Sequence, residues 1–185
     1  EDDDSLTERA YLAPSRFSCA GPRDAYEYHV REWRSDVTDV QITSPEPCVI
    51  AIYFVMEGGR LPNATEREEL AEYISGENLR PLCGKVVCVE PEEVPYNIAF
   101  TYWIGDGDQR SAGTIQEKVT AAVQSYQSWQ RHLGRDINPT ELIAKIRGAG
   151  AKRVKLTAPA DIVVGKTQLP KCTGQTVTYG GLEDD

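Results

Sequence analysis

No stretch of this 185-residue chain approaches the ~18 consecutive apolar residues of a membrane-spanning helix. No charged-then-apolar signal segment opens it either, so a soluble protein is expected. Positive charge is also scarce: 20 Lys and Arg stand against 29 Asp and Glu, a formal net charge of −9. With that balance a generalised attraction to phosphate backbones or anionic membranes is not expected. The one compact basic group is Lys152, Arg153 and Lys155, and it alternates with Val154 and Leu156 in an expected strand. It reads as a solvated face rather than a nucleic-acid patch. Five cysteines, Cys19, Cys48, Cys83, Cys88 and Cys172, form an odd and scattered set, which speaks against a disulfide framework and for a reducing compartment. Cys83 and Cys88 lie near each other, but no second close pair or neighbouring His completes a zinc set. The chain opens at Glu1 and its only methionine is Met56, so it is expected to be part of a longer product.

What the chain does carry is a series of legible helix starts. Ser5 with Glu8, Thr65 with Glu68 and Thr114 with Glu117 fit the capping box, in which a hydroxyl accepts from the third helical amide and the acid reaches back. Asn138 with Glu141 is a variant strengthened by Pro139, whose missing amide hydrogen costs nothing at the first helical position. Gly21-Pro22, followed by Asp24, marks another start. These signals predict helices near residues 6–12, 22–34, 65–75, 114–133 and 139–147. Ile115, Val119, Ala122, Val123, Tyr126 and Leu133 give the fourth a continuous apolar face, and Gly134 suits a left-handed stop.

Strands are expected between the helices. Residues 37–43 alternate, but Val37 is out of phase with Val40 and Ile42, which implies a bend or irregular start. Val49 to Val55 is apolar on both faces and should be a central strand. Residues 85–90 and 96–104 are expected to pair around Pro91, with Ile98, Phe100 and Tyr102 on one face and Ala99, Thr101 and Trp103 on the other. Shorter strands are expected near 152–157, 161–165 and 173–179. The fold class is α+β: a helical segment over 1–35, a β-β-α-β-β module over 36–110, and a helical hairpin with a small β element over 111–185.

Chemistry is hard to assemble from these residues. His29 and His132 are far apart on expected helices, and a packing role is favoured over a hydrolase that unites one of them with a cysteine or acid. Asp106 and Asp108, in Gly105-Asp106-Gly107-Asp108, offer oxygen donors for calcium but lack the glutamate and spacing of a twelve-residue helix-loop-helix site. A turn is the simpler reading. Gly58-Gly59 and Gly180-Gly181 lack the context of a phosphate-binding loop and read as turns or chain ends. Most of the aromatic residues are interleaved with aliphatic positions and are assigned to cores. Arg80-Pro81-Leu82 is a turn between helix and strand, and the acidic ends, including Glu183-Asp184-Asp185, serve solvation. No catalytic, cofactor-binding or metal-binding residue is assigned, and no enzyme activity is expected.

The order of the turn and cap phrases is more specific than any one of them. Ala13-Pro14, Phe17-Ser18, Ala20-Gly21-Pro22, Val37-Thr38-Asp39-Val40 and Ser44-Pro45-Glu46-Pro47 resemble the central segment of the baseplate J-like family. Arg80-Pro81-Leu82, Val94-Pro95-Tyr96 and the string from Trp129-Gln130 through Leu133-Gly134-Arg135-Asp136-Ile137-Asn138-Pro139 to Val154 resemble its C-terminal segment. Cys83-Gly84 departs from the polar turn residues expected there. The resemblance implies a wedge component of a contractile phage tail baseplate, assembled in the host bacterial cytoplasm and residing in the virion. Implied partners are copies of itself, other wedge proteins, and tail hub or fibre connector proteins. The mechanism implied is rearrangement of protein interfaces, with a calcium- or ligand-binding module as the alternative.

Overall fold

The structure, a computed structural model, describes residues 3–14, 23–76 and 84–184. The fold is α+β and divides into two compact units, Glu1–Glu92 and Glu93–Asp185. The division differs from the three segments expected from the sequence because the strands between 36 and 104 enter two separate sheets, not one.

The first unit contains α1 (Asp3–Leu12), α2 (Arg23–Trp33), β1 (Val37–Thr43), β2 (Val49–Met56), α3 (Ala64–Ile74) and β3 (Lys85–Cys88). Its sheet order is β1-β2-β3, so the strand that is apolar on both faces is indeed central. β1 pairs antiparallel with β2, and the register slips between Val37 and Asp39, where the phase of the sequence breaks. β3 pairs parallel with β2. A parallel pair needs a crossover, which α3 provides. Tyr26 and Val30 of α2 and Leu70 and Ile74 of α3 pack on Val40, Ile52, Phe54 and Val86 of the sheet.

The second unit contains β4 (Glu92–Gly105), α4 (Ala112–Gln130), α5 (Pro139–Gly148), β5 (Arg153–Ala158) and β6 (Gln168–Glu183). The sheet order is β5-β4-β6, with β4 and β5 antiparallel. Tyr96, Ile98, Phe100, Tyr102 and Ile104 alternate along β4 and form one face of the core. Ile115, Val119, Val123 and Tyr126 of α4 and Leu142 and Ile146 of α5 cover that face. Ala99, Thr101 and Trp103 lie on the other face, half-buried. The Tyr126 hydroxyl donates to the Asn138 carbonyl at 3.1 Å and so ties α4 to the start of α5.

Several local expectations shift. Residues 85–90 and 96–104 do not pair: β3 completes the first sheet, Val89 still donates to Ile52, and Pro91 has no amide hydrogen to continue the ladder. The α3 cap is Asn63 with Glu66, not Thr65 with Glu68. Asn63 Oδ1 accepts from the Glu66 amide at 2.8 Å and Glu66 accepts from the Asn63 amide at 2.9 Å. A 3-10 turn over Asp106–Ser111 runs into α4, so the helix begins at Ala112 with no side-chain cap, and Thr114 falls inside its first turn. Asn138 does cap α5, accepting from Thr140 at 2.9 Å, while Glu141 turns to Lys145. The side chains of Ser5 and Glu8, and all of Gly21-Pro22, lie outside the described residues.

α4 stops at Gln130, three residues short of the expected end. Fully buried Gln130 donates to the carbonyls of Arg135 and Asp136 and holds the chain as it leaves the helix. Gly134 has φ +68°, as a left-handed stop would, but it sits in the following loop against the Lys166 backbone, where a Cβ would lie 2.9 Å from Lys166 Cα. The strand expected near 161–165 is reduced to one bridge between Ile137 and Ile162. The Val164 amide donates to the Asp136 carboxylate at 2.8 Å, so its hydrogen bond goes to a side chain and not to a ladder.

Candidate assembly surface

β6 is the longest strand and the last in its sheet. Its contacts with β4 advance in the same sense along both strands: the Thr173 hydroxyl donates to the Tyr96 carbonyl at 3.2 Å, and farther on Gly180 packs on the Trp103 ring. A side chain at Gly180 would overlap that ring, so the closest approach of the two strands requires glycine. The Arg153 guanidinium of β5 lies 3.7 Å from the centroid of Trp103 and donates through Nε to Glu183 at 2.9 Å. One stack thus ties all three strands. Gly180-Gly181 is therefore strand, not a turn or a chain end, although Gly181 keeps a positive φ of 98°.

The other end of β6 is fixed by charge. Glu93 accepts from Arg131 and from Lys171, each at 2.5 Å, joining the start of β4 to the residue after α4 and to β6. Burial pushes the Glu93 carboxyl up, but hydrogen bonds from Lys171 and Arg131 outweigh it and hold it below its usual range. Between these two ties, every residue from Thr173 to Gly180 is exposed. Val177 and Tyr179 are among the exposed large apolar side chains, with the Tyr179 ring centroid 5.6 Å from that of Tyr102 and the two planes tilted by 44°.

The first unit repeats the electrostatic tie at a different place. Glu66 is buried and accepts from Arg60 at 2.8 and 2.9 Å and from Arg34 at 3.1 Å, while Arg34 also holds Asp36. The Arg60 hydrogen bonds lower the Glu66 pKa to about 2 against the opposing effect of burial, helped by the Asn63 amide and by Arg34. Sequence reasoning missed Glu66 because it placed the cap two residues later. It missed the Trp103 stack because nothing local relates residues 103, 153 and 180.

The described candidate chemical residues are placed as follows within each unit. Asp106 and Asp108 are exposed in the 3-10 turn and line a cavity of about 610 Å³ with Glu183, Asp184 and Lys152. Lys152 brings a cation to that wall, and among the described residues no group of three His, Cys, Asp or Glu side chains is arranged to hold a metal. His29 is buried in α2, with Nδ1 3.3 Å from Glu32 and its ring edge-on to Tyr28. His132 is half-buried just beyond α4, in the other unit. Burial raises the Cys88 thiol to about 12, against a small opposing effect of Arg67, so it is a poor thiolate donor. Its neighbour in sequence, Cys83, lies outside the described residues, as do Cys19 and Arg80-Pro81-Leu82. Arg153 and Lys155 are exposed while Val154 and Leu156 pack on the core, which is the solvated-face pattern. Among the described residues no helix is long and apolar enough to cross a membrane.

Residues 18–90 match the baseplate J-like central domain and residues 96–180 match the C-terminal domain of the baseplate J-like protein. The boundary between the two matches falls where the two compact units meet in sequence. Baseplate protein J of Escherichia phage P2 is 31% identical over 189 aligned residues, an alignment that takes in 100% of this chain and 61% of the phage protein. The fold is similar to a chain in the cryo-EM structure of the anti-feeding prophage baseplate, with a TM-score of 0.64 at 12% identity over 93% of this chain and 42% of that one. The chain thus spans less than two thirds of the length of either relative. In sequence, order and fold, the chain belongs to the baseplate J-like family, of which it carries the central and C-terminal domains.

Proposed function

We propose that this chain is the central and C-terminal part of a structural component of a contractile phage tail baseplate, acting by assembly with other baseplate proteins and turning over no substrate. The observation that carries the reading is the alignment with baseplate protein J of phage P2, which runs the whole length of this chain through both family domains in order. The location that follows is the virion tail baseplate, after assembly in the cytoplasm of the host bacterium. Copies of the chain, other wedge proteins and hub or fibre connector proteins are the partners in this reading. Triggered contraction requires interfaces with alternative packings of similar free energy, not a reactive side chain. Two small units, each with its own core, suit that role, since interfaces can exchange while each fold persists.

Co-expression with the proteins encoded beside it, followed by native mass measurement, tests the proposal. A discrete complex of fixed composition is expected. A chain that stays alone beside every neighbouring tail protein overturns it.

A further inference from the structure

We propose that the outer edge of β6 pairs with the same strand of a second copy of this chain, the two running antiparallel about Val177. This rests on the assembly reading above and names the surface that would serve it. Among the described residues β6 has a neighbouring strand on one side only, because the sheet order ends there. An edge strand presents a row of backbone donors and acceptors to any other strand, and proteins commonly guard such edges with charge, proline or shortness. The opposite edge of this sheet is guarded: β5 has six residues and exposes Arg153 and Lys155. β6 is not guarded in this way. Its 16 residues include no charge and no proline between Lys171 and Glu183. The exposed run Thr176-Val177-Thr178-Tyr179 is β-branched and aromatic, the composition that favours strand pairing.

The flanking charges select the occupant and its direction. Lys171 and Glu183 have opposite sign and stand equally far from Val177 in sequence. Two copies paired antiparallel about Val177 bring Lys171 of each toward Glu183 of the other, at both ends of the ribbon. Parallel pairing would instead stack like on like. Lys171 also holds Glu93, and Glu183 also holds Arg153, so the antiparallel arrangement sets balanced pairs against one another. Between the ends, Thr176 faces Thr178 and Gln175 faces Tyr179, and no like charges meet. Such a contact is two-fold and self-closing, so it stops at a dimer and does not propagate into a filament.

The test is sedimentation of the 185-residue chain over a concentration series, with Val177→Lys and Val177→Glu. The unaltered chain should form a dimer. Each variant alone should sediment as a monomer, because the axis then brings like charges together. An equimolar mixture of the two should restore the dimer, a rescue that a misfolded variant could not give. Should either variant lose its circular dichroism, hydrogen exchange of the unaltered chain decides the matter: amides 173–180 should gain protection as concentration rises. A monomer at every concentration, a charged variant that dimerises like the unaltered chain, or exchange in 173–180 that ignores concentration overturns the proposal. None of these outcomes touches complex formation with the other baseplate proteins, which tests the family role separately.

Discussion

In the first unit a mixed sheet ends in a strand of four residues, and its central strand has helices α2 and α3 packed against it. In the second, the sheet is built on strands of 14 and 16 residues, and the last of them leaves eight consecutive residues exposed. Both units place a glutamate between two cations, Glu66 between Arg34 and Arg60, and Glu93 between Arg131 and Lys171. The difference is in what each tie protects. Glu66 lies inside a helix cap and closes its unit, while Glu93 anchors one end of a strand whose outer edge stays open. In the proposed assembly, local stability and the pairing edge fall to different parts of the molecule.

The largest effects should come from the two cores. Leu70 in the first and Leu142 in the second are fully buried, and either one changed to Ala removes transfer energy and leaves a cavity. Each substitution should cost about 3 kcal/mol in denaturant unfolding. Hydrogen exchange should accelerate in β2 for Leu70→Ala and in β4 for Leu142→Ala. A cost under about 1 kcal/mol at either position would show a core loose enough to collapse around the gap, and would erase the contrast between closed core and open edge.

Next in size is Gly180→Val, which drives a branched side chain into the Trp103 ring and breaks the stack that ties β4, β5 and β6. Overpacking of this kind should cost about 2 kcal/mol. Its signature is local: exchange should quicken at 173–183 and the tryptophan fluorescence should change, while β2 stays as it was. Unchanged exchange in β6 would show that the strand is held by its ladder alone and that glycine is dispensable there.

How much of this was legible beforehand follows from the range of the interactions. The α4 face, the alternation in β4, the buried nature of β2 and the irregular start at Val37 were readable because periodicity is local. The α+β class and the family resemblance were readable for the same reason, from short phrases in fixed order. The two-sheet division was not, since β3 and β4 are neighbours in sequence and only the crossover through α3 sends one back to β2. The end of α4 was misplaced because Gln130 satisfies carbonyls five and six residues on, a contact that no helix rule anticipates. For the surface, the uncharged run before Glu183 was visible in the sequence, but its position at a sheet edge was not.

A smaller effect separates the two glutamates. Glu66→Gln keeps the shape of the capping box and removes the charge that Arg34 and Arg60 share. Those arginine side chains are 35% and 49% exposed and regain water, so the cost should be only about 1 kcal/mol. The sign with pH follows from the lowered pKa. The stabilisation from Glu66 is complete above the usual carboxylate range and is lost as pH falls through about 2. Glu93→Gln should weaken the chain in the same direction, since its pKa is also lowered. Acid titration of unfolding should therefore flatten toward low pH in Glu66→Gln relative to the unaltered chain. Parallel titration curves would mean that the Arg60 pair contributes nothing beyond the cap.

The smallest expected effect concerns Asp106 and Asp108. Calcium needs six to eight oxygen ligands from a site able to close around it. Here Asp106 and Asp108 share an open cavity wall with Asp184, with Glu183, whose carboxylate is held by Arg153, and with Lys152, whose ammonium donates to the Glu183 carbonyl at 3.3 Å. A cation entering this corner meets another cation already hydrogen-bonded there. Calorimetric titration with calcium should give no saturable heat, and the double change Asp106→Asn with Asp108→Asn should alter neither that result nor the midpoint of unfolding. Saturable binding abolished by the double change would make this corner a ligand site, and would give the second unit a chemical function beside its open strand edge.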